Sequence, residues 1–248
     1  MKEIQFWHSR YQQQAQWTEK VRQYLFRKSH LNAAERILDV GCGTGVSLDG
    51  IRPETSMGVD IDMESLSFAK LNNPGLNLSC ADAHKLPFGD NALDNSFCQF
   101  LLLWVQSPQI VLEEMIRVTK PGGKIIAIAE PDYGGRIDFP EKFEVIGKAQ
   151  TNSLISQGAD PFMGRKIKKI FQDSRMKDIE YGVINGSWNT SPSVNSFDLE
   201  WEVIKSDIKN SPNIKEIMRL KKIDRQSWNL GYRVLYIPTF YAIGTKPI

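Results

Sequence analysis

The 248-residue chain has the composition of an ordinary globular protein, with 41% hydrophobic residues, 24% charged residues and 3 Cys. These values exclude a collagen-like, a disordered and a disulfide-stabilised chain. A net charge of +2 is too small to indicate a nucleic-acid or membrane partner, and no apolar run approaches the roughly 20 residues of a membrane span.

The N-terminal segment and the cysteines indicate the compartment. Residues 1–8 lack the apolar core and small-residue cleavage site of a signal peptide, so the sequence predicts a cytoplasmic protein. Cys42, Cys80 and Cys98 are widely spaced and odd in number, which fits reduced thiols better than disulfides or metal ligands. We therefore expect three buried thiols and no metal site.

Apolar segments alternate with helix-length segments along the first 130 residues. A polar, aromatic-rich helix is predicted over about 10–28, and strands over 36–40, 56–60, 76–80, 93–100 and 124–129. Asp62 is the predicted N-cap of one helix, and Ser107 with Pro108 begins another. This alternation is typical of a parallel sheet covered by helices on both faces.

The pattern is less regular after residue 130. Helices are predicted over 141–156, 164–175, 196–208 and 212–220, and strands over 179–188 and 233–244. No change in composition demands a second domain. We expect the helical insert between the last two strands to cap the site.

The glycines of Gly41-Cys42-Gly43-Thr44-Gly45 follow the first predicted strand. Glycines at this strand-to-helix turn let a nucleotide-type cofactor contact the backbone. A dinucleotide fingerprint needs a glycine where this chain has Val46, which counts against NAD, and no phosphate-binding lysine follows the glycines. Asp60 ends the second predicted strand, where a carboxylate can bind the ribose hydroxyls of either cofactor class.

Five motifs occur in the order of one known family, all within residues 37–130. They are the glycine motif, Gly58-Val59-Asp60-Ile61-Asp62, Cys80-Ala81-Asp82-Ala83, Leu86-Pro87-Phe88 and Pro121-Gly122-Gly123. With them the chain resembles the class I S-adenosylmethionine-dependent methyltransferases, in particular the small-molecule branch that includes quinone-biosynthesis enzymes.

The resemblance implies an α/β fold, a Rossmann-like three-layer sandwich. Its seven-stranded, mostly parallel sheet has the last strand antiparallel. The resemblance also fits a single methyltransferase domain over 1–248, made of an N-terminal helical lid (1–34), a cofactor-binding half (35–130) and an acceptor side (131–248) with the helical insert and the closing strands.

The resemblance assigns cofactor-binding roles to particular residues. The backbone of the three glycines would pack under the methionyl part of S-adenosylmethionine, with Asp39 and Gln99 near its ammonium group. Asp60 would bind the ribose and Ile61 would cover one face of the adenine. The adenine edge would meet Asp82 and the amide of Ala83.

Aromatic residues are concentrated in the first predicted helix. In the family such a helix often closes over the cofactor, so we hypothesise that Tyr11 covers the methionyl group and that Arg10 pairs with its carboxylate. The alternative is that these residues only pack the helix. This alternative stays open for Tyr11 and is favoured for Trp17.

Methyl transfer is an in-line displacement at a carbon activated by its sulfonium, so the protein mainly supplies alignment and needs no metal. Asp132 and Tyr133 follow the fifth predicted strand, at the edge where acceptors bind, and are the candidate catalytic residues. Glu130, His8 and His84 are further candidate bases. For His84 an exposed loop histidine is the favoured interpretation.

Two motifs of nucleic-acid methyltransferases are absent. The Asp/Asn-Pro-Pro-Tyr/Phe tetrad is replaced by Gln99-Phe100-Leu101-Leu102, and no cysteine follows a proline. The sequence thus predicts an S-adenosylmethionine-dependent methyltransferase that acts on a small, partly apolar molecule and releases S-adenosylhomocysteine. An NAD(P)-dependent oxidoreductase and a non-catalytic S-adenosylmethionine- or S-adenosylhomocysteine-binding regulatory protein are the alternatives.

Overall fold

The apolar runs of the first 130 residues form the centre of one large sheet. The computed structural model describes residues 2–31, 34, 36–184 and 194–248. Its strands are β1 (Ile37–Val40), β2 (Ser56–Asp60), β3 (Asn77–Cys80), β4 (Asn95–Gln99), β5 (Lys124–Pro131), β6 (Ile137–Phe139), β7 (Lys177–Val183), β8 (Val234–Tyr236) and β9 (Thr239–Thr245).

Seven of these strands pair in the order β3-β2-β1-β4-β5-β9-β7. Strands β1 to β5 are mutually parallel, and β9 runs antiparallel to both of its neighbours. This confirms the predicted Rossmann-like sheet with its antiparallel last strand. The chain order reverses between β1 and β4, and ligands of open α/β sheets bind at the carboxyl ends of strands at such a point.

Helices cover both faces of the sheet and extend beyond it. They are α1 (Lys2–Lys28), α2 (Met63–Asn72), α3 (Pro108–Val118), α4 (Glu144–Ser156), α5 (Met163–Asp173), α6 (Val194–Ile208) and α7 (Ile214–Asn229). Asp62 caps α2 as predicted, accepting from the amides of Glu64 and Ser65. Ser107 precedes α3 without a side-chain cap, although Pro108 does occupy its first turn.

Two hydrophobic layers enclose the sheet. One contains buried residues of α3, α5 and one sheet face, including Leu38, Val40, Leu102, Val111, Met115, Ile125, Ala127 and Phe171. The other packs the C-terminal part of α1 on the opposite face, with Leu25, Phe26, Ile37, Phe97, Ile126, Ile128 and Ile243. Both faces of the sheet are thus covered by apolar side chains. This explains why the sequences of the central strands β1 and β5 are almost continuously apolar.

The structure corrects the predicted bounds of several helices and strands. Helix α1 begins at Lys2 rather than near residue 10, and α7 continues to Asn229. The predicted strand over 233–244 is divided at Pro238 into β8, which pairs with β6 in a separate two-stranded sheet, and β9. Strand β7 covers Lys177–Val183, and positions 185–188 of the predicted strand lie outside the described residues.

Three of the helices after β5 have a core of their own. Helices α4, α6 and α7, which we call the cap, bury a third apolar cluster that includes Phe143, Ile146, Phe197, Trp201, Ile204, Ile208 and Ile217. A group of ion pairs lies beside this cluster. Arg233 pairs with Glu200, and Arg233 Nε lies 2.6 Å from Asp224 Oδ1. The indole N–H of Trp201 also donates to Asp224. Helices α6 and α7 are the helical insert predicted between the last two strands of the sheet.

The cysteines differ in exposure. Cys42 and Cys98 are buried free thiols, but Cys80 is exposed, so the prediction of three buried thiols was wrong for Cys80. The reason is that Cys80 ends β3, the edge strand of the sheet. Within the described ranges, no helix combines the length and the apolarity needed to cross a lipid bilayer.

Candidate active site

The glycine loop leaves β1 in a backbone conformation that requires glycine. Gly41, Gly43 and Gly45 have φ of 75°, 49° and 81°, in the left-handed region that side chains disfavour. A Cβ on Gly41 would lie 2.7 Å from Leu101 Cδ1. The chain continues in a short 3-10 turn (Val46–Leu48) rather than the predicted helix.

Asp60 joins the glycine loop to the end of β2. Its Oδ2 accepts from the Gly43 amide at 2.7 Å, and its Oδ1 accepts from the Asp62 amide at 2.9 Å. Because β1 and β2 are parallel neighbours, their carboxyl ends meet at one edge of the sheet. The carboxylate therefore lies beside the glycine loop, as the predicted ribose-binding role requires.

Asp39 and Gln99 each carry a buried oxygen without a hydrogen-bond partner among the described residues, Oδ1 and Oε1 respectively. Asp39 Oδ2 accepts from the Ser47 hydroxyl, and Gln99 Nε2 donates to Thr18 Oγ1 at 3.2 Å. Burial raises the pKa of Asp39 to about 7, although the Ser47 bond opposes the shift. Since burying an unpaired acceptor is costly, this pair suits a ligand that presents N–H donors at the ends of β1 and β4.

Helix α1 covers the glycine loop. The Tyr11 ring would lie 3.7 Å from a Cβ on Gly43, and burial, followed by Asp60 and Asp62, raises the pKa of Tyr11. His8 Nδ1 is 2.9 Å from Thr44 Oγ1. The Tyr11 ring thus lies beside the glycine loop, and its role as a lid over the methionyl group stays a prediction.

Arg10 has different surroundings from Tyr11. Its Nη1 donates to Gln13 Oε1 at 2.6 Å, and its guanidinium lies 4.5 Å from the centroid of the Trp17 ring. Burial lowers the pKa of Arg10, while Tyr133 and two cap carboxylates act in the opposite direction. The guanidinium therefore lies on the side of α1 that is near Tyr133 and the cap, and it packs on the half-exposed Trp17 ring.

The predicted adenine-binding residues lie together at the ends of β2 and β3. Ile61 is 71% exposed and Asp82 is exposed. Asp82 Oδ1 accepts from the His84 amide at 2.9 Å and lies 2.7 Å from His84 Nδ1, and these contacts lower the pKa of Asp82. An apolar side chain and a carboxylate beside the half-buried Ala83 form an open shelf at the sheet edge.

Asp132 is buried and already has partners. Its carboxylate accepts from the Gly134 amide at 2.9 Å and from Arg165 Nε and Nη2 at 2.5 and 2.8 Å. Tyr133 follows it, and burial raises the pKa of its hydroxyl, with Asp207 adding to the shift and Arg10 opposing it. Of the two predicted catalytic residues, Tyr133 is the one whose surroundings include Arg10, Arg136 and Asp207.

The other candidate bases are also engaged within the chain. His84 is half-buried rather than exposed, and its Nε2 accepts from the Ser107 amide. His8 contacts Thr44 as described above. Glu130 is fully buried and accepts three backbone amides.

A polar network between the segment after β5 and the cap was not predicted from the sequence. Arg136 pairs with Asp138 through two bonds of 2.7 and 2.9 Å, and its Nη1 donates to Gln150 Oε1 at 2.7 Å. Gln150 Nε2 in turn donates to Asp207 Oδ2 at 2.8 Å. These residues are spread over 70 positions and form no motif, so only the fold brings them together. The described residues contain no group of three or more His, Cys, Asp or Glu that would hold a metal ion.

Comparisons with known proteins identify the family of the chain. The family described as "Methyltransferase domain" matches residues 38–127. A demethylmenaquinone methyltransferase of Oceanobacillus iheyensis is 31% identical over 182 residues, covering 64% of this chain and 76% of that protein. Its counterpart from Paenarthrobacter aurescens is 36% identical over 118 residues, covering 46% of this chain and 45% of that protein.

Two further findings concern the length over which the relatives match and the fold of a solved structure. This chain spans 45%, 44% and 46% of the length of the first curated relatives that it matches. The solved structure of a SAM-dependent methyltransferase from Thermotoga maritima has the same fold, with a TM-score of 0.54, 15% identity, and coverage of 99% of this chain and 100% of that one. The chain belongs to the class I S-adenosylmethionine-dependent methyltransferase family.

Proposed function

We propose that the chain binds S-adenosylmethionine at the glycine loop and transfers its methyl group to a small, partly apolar molecule. The acceptor binds between the segment that follows β5 and the cap. One observation carries this proposal: two buried, unpartnered oxygens, on Asp39 and Gln99, lie at the chain reversal of the sheet beside a glycine loop that Asp60 holds in place.

These residues fit the cofactor chemically. Asp39 Oδ1 and Gln99 Oε1 would accept from its ammonium group, and an ionised Asp39 would balance its positive charge. The Asp60 carboxylate would use its remaining lone pairs to accept hydrogen bonds from the ribose hydroxyls. The exposed side chains of Ile61 and Asp82 would contact the adenine. Arg10 and Tyr11 would close the site from α1.

When bound, S-adenosylmethionine supplies a methyl group already activated by a sulfonium, so the chain has to align and desolvate the acceptor. Tyr133 has a raised pKa and is a neutral phenol at physiological pH, suited to hydrogen-bonding the acceptor's nucleophile. Burial also raises the pKa of Asp207, which makes its carboxylate a stronger proton acceptor. Arg10 would bind an oxygen of the acceptor or the methionyl carboxylate.

Several further properties are part of the proposal. The lid, the cofactor half and the acceptor side act as one domain, and the free cysteines agree with a reducing compartment such as the cytoplasm. Acceptors of curated relatives, such as demethylmenaquinone, have the expected partly apolar character. The comparisons favour neither the oxidoreductase nor the non-catalytic alternative.

Ligand-induced stabilisation tests the cofactor assignment. S-adenosylhomocysteine at about 100 times its Kd is expected to raise the free energy of unfolding by about 2.7 kcal/mol. For a protein of this size that is a Tm increase of roughly 5–10 °C, measurable by calorimetry. NADH and NADPH at the same concentration are expected to leave Tm unchanged, and a shift with either of them instead would contradict the assignment.

Transfer of labelled methyl groups to phenols, quinols, amines, thiols and carboxylates tests the acceptor side. Tyr133→Phe is expected to lower turnover of the best acceptor at least tenfold, as typical for a group that assists proton transfer, without changing the Kd of S-adenosylhomocysteine. Tyr24→Phe, which removes a hydroxyl bonded to Glu180 far from the site, is the matched control. Tight cofactor binding without transfer to any class would support the non-catalytic alternative.

A further inference from the structure

Glu130 is a buried carboxylate whose partners are three consecutive backbone amides. Its Oε1 accepts from Leu101 and Leu102 at 3.1 and 2.9 Å, and its Oε2 accepts from Leu103 at 3.1 Å. The side chain has no exposed surface. Because the side chain is fully buried and both oxygens accept backbone amides, Glu130 is not accessible to a substrate, which removes it from the candidate bases.

An irregularity in β5 directs Glu130 toward these amides. Opposite β9, Ala127 pairs with Ala242 and Glu130 pairs with Phe240, so β5 contains one extra residue. Ala129, with φ of 65°, lies within this bulge. Side chains alternate between the faces of a strand, and one extra residue inverts the alternation.

The membership of the two hydrophobic layers shows this inversion. Ile126, Ile128 and Ala129 all belong to the layer under α1. Leu102 and Leu103 belong to the opposite layer. A regular strand would place residue 130 on the same face as Ile128, so the bulge is what turns the carboxylate toward the segment after β4.

The segment held by Glu130 lies against the cofactor side of the sheet. It begins at Gln99, whose buried oxygen is unpartnered, and passes through Phe100, with φ of 54°. The Leu101 side chain occupies the space that a Cβ on Gly41 would need. The position of this segment therefore sets both Gln99 and the packing of the glycine loop.

We propose that Glu130 is a positioning residue: by binding the amides of Leu101, Leu102 and Leu103, it fixes the turn after β4 and so holds Gln99 and Leu101 at the cofactor site. It moves no proton and contacts no substrate. Its effect on the ligand passes through the turn, and in this respect the inference rests on the proposed function.

Glu130→Gln tests the inference because it keeps the shape but replaces one oxygen by an NH2 group, which opposes an amide donor. In the unliganded variant, the amides of Leu101 to Leu103 are expected to exchange hydrogen for deuterium at least tenfold faster. The Kd of S-adenosylhomocysteine is expected to rise at least tenfold at a temperature where the variant is folded. Asp224→Asn is the control, since Asp224 is equally buried but lies in the cap; it is expected to lower Tm while leaving these amides unaffected and the Kd within twofold.

Leu101→Ala is the second variant, needed if Glu130→Gln does not fold. It keeps the carboxylate and its bonds to Leu102 and Leu103 but loses the contact with Gly41, so we expect a higher Kd with unchanged exchange at Leu102 and Leu103. Unchanged exchange in Glu130→Gln would overturn the anchoring role, and faster exchange with an unchanged Kd would overturn the positioning role. A wild-type protein that binds no S-adenosylhomocysteine would overturn the proposed function, while the exchange result would still decide whether Glu130 anchors the turn.

Discussion

Replacing Gly41 with alanine is expected to destabilise the fold by about 2–5 kcal/mol and to abolish S-adenosylhomocysteine binding. The left-handed backbone at φ of 75° costs about 1–2 kcal/mol for a residue with a Cβ. The new methyl group would also lie 2.7 Å from Leu101 Cδ1, and such overpacking typically costs about 1–3 kcal/mol. Denaturant unfolding and isothermal titration measure the two effects.

Gly122→Ala is the matched control for this prediction. Gly122 has φ of 80°, but no heavy atom of the described residues lies within 4 Å of the position that its Cβ would take. Only the backbone cost of about 1–2 kcal/mol is therefore expected, with ligand affinity unchanged. If both variants lost the same stability, the contact between Leu101 and the glycine loop would not be the cause.

The affinity for S-adenosylhomocysteine is expected to rise with pH up to about 7 and then to level off. Burial raises the pKa of Asp39 to about 7 in the unliganded protein, so its carboxyl is largely protonated in mildly acidic solution. The ligand's ammonium group beside Asp39 would favour the ionised form, and binding would then release a proton. Below pH 7 the affinity should fall by up to about tenfold per pH unit, since one unit corresponds to about 1.36 kcal/mol.

Titrations of wild type and Asp39→Asn between pH 5 and 9 measure this linkage. The variant has no ionisable group at position 39, so it should bind S-adenosylhomocysteine weakly. Its Kd should also show no change in pH dependence near pH 7. An affinity in the wild type that does not change with pH would contradict the placement of the ammonium group beside Asp39.

The stability of the unliganded protein should change in the opposite direction. A carboxyl whose pKa is raised on folding contributes stability that is complete below its unfolded value and is lost as the pH rises through the folded value. For Asp39 this window runs from 3.8 to about 7. The free energy of unfolding should therefore decrease between about pH 4 and 7, and bound ligand should reduce the decrease.

The features that sequence reasoning recovered are determined locally. The strands β1 and β5 are largely apolar runs, and the glycine loop and Asp60 occupy fixed positions at strand ends. The division of the last strand also had a local signal, because Pro238 cannot donate to a sheet ladder. The helical periodicity simply extends further than predicted at the start of α1 and the end of α7.

The other features that were not predicted depend on contacts between distant segments. The exposure of Cys80 follows from the strand order, and the partners of Glu130 follow from a bulge in β5. The network from Arg136 to Asp207 joins the segment after β5 to the cap. No spacing in the sequence encodes these relations, since each requires the register or packing of elements far apart in the chain.

The cap has a hydrophobic core that is separate from the two layers on the sheet. Phe197, Trp201 and Ile217 pack with residues of the cap and with neither of the two layers on the sheet. Substitutions in the cap therefore act on packing that the sheet and the glycine loop do not share. Under the proposed function, in which the acceptor binds against the cap, changes in these three helices would alter the acceptor while the glycine loop and Asp60 keep the same methyl donor.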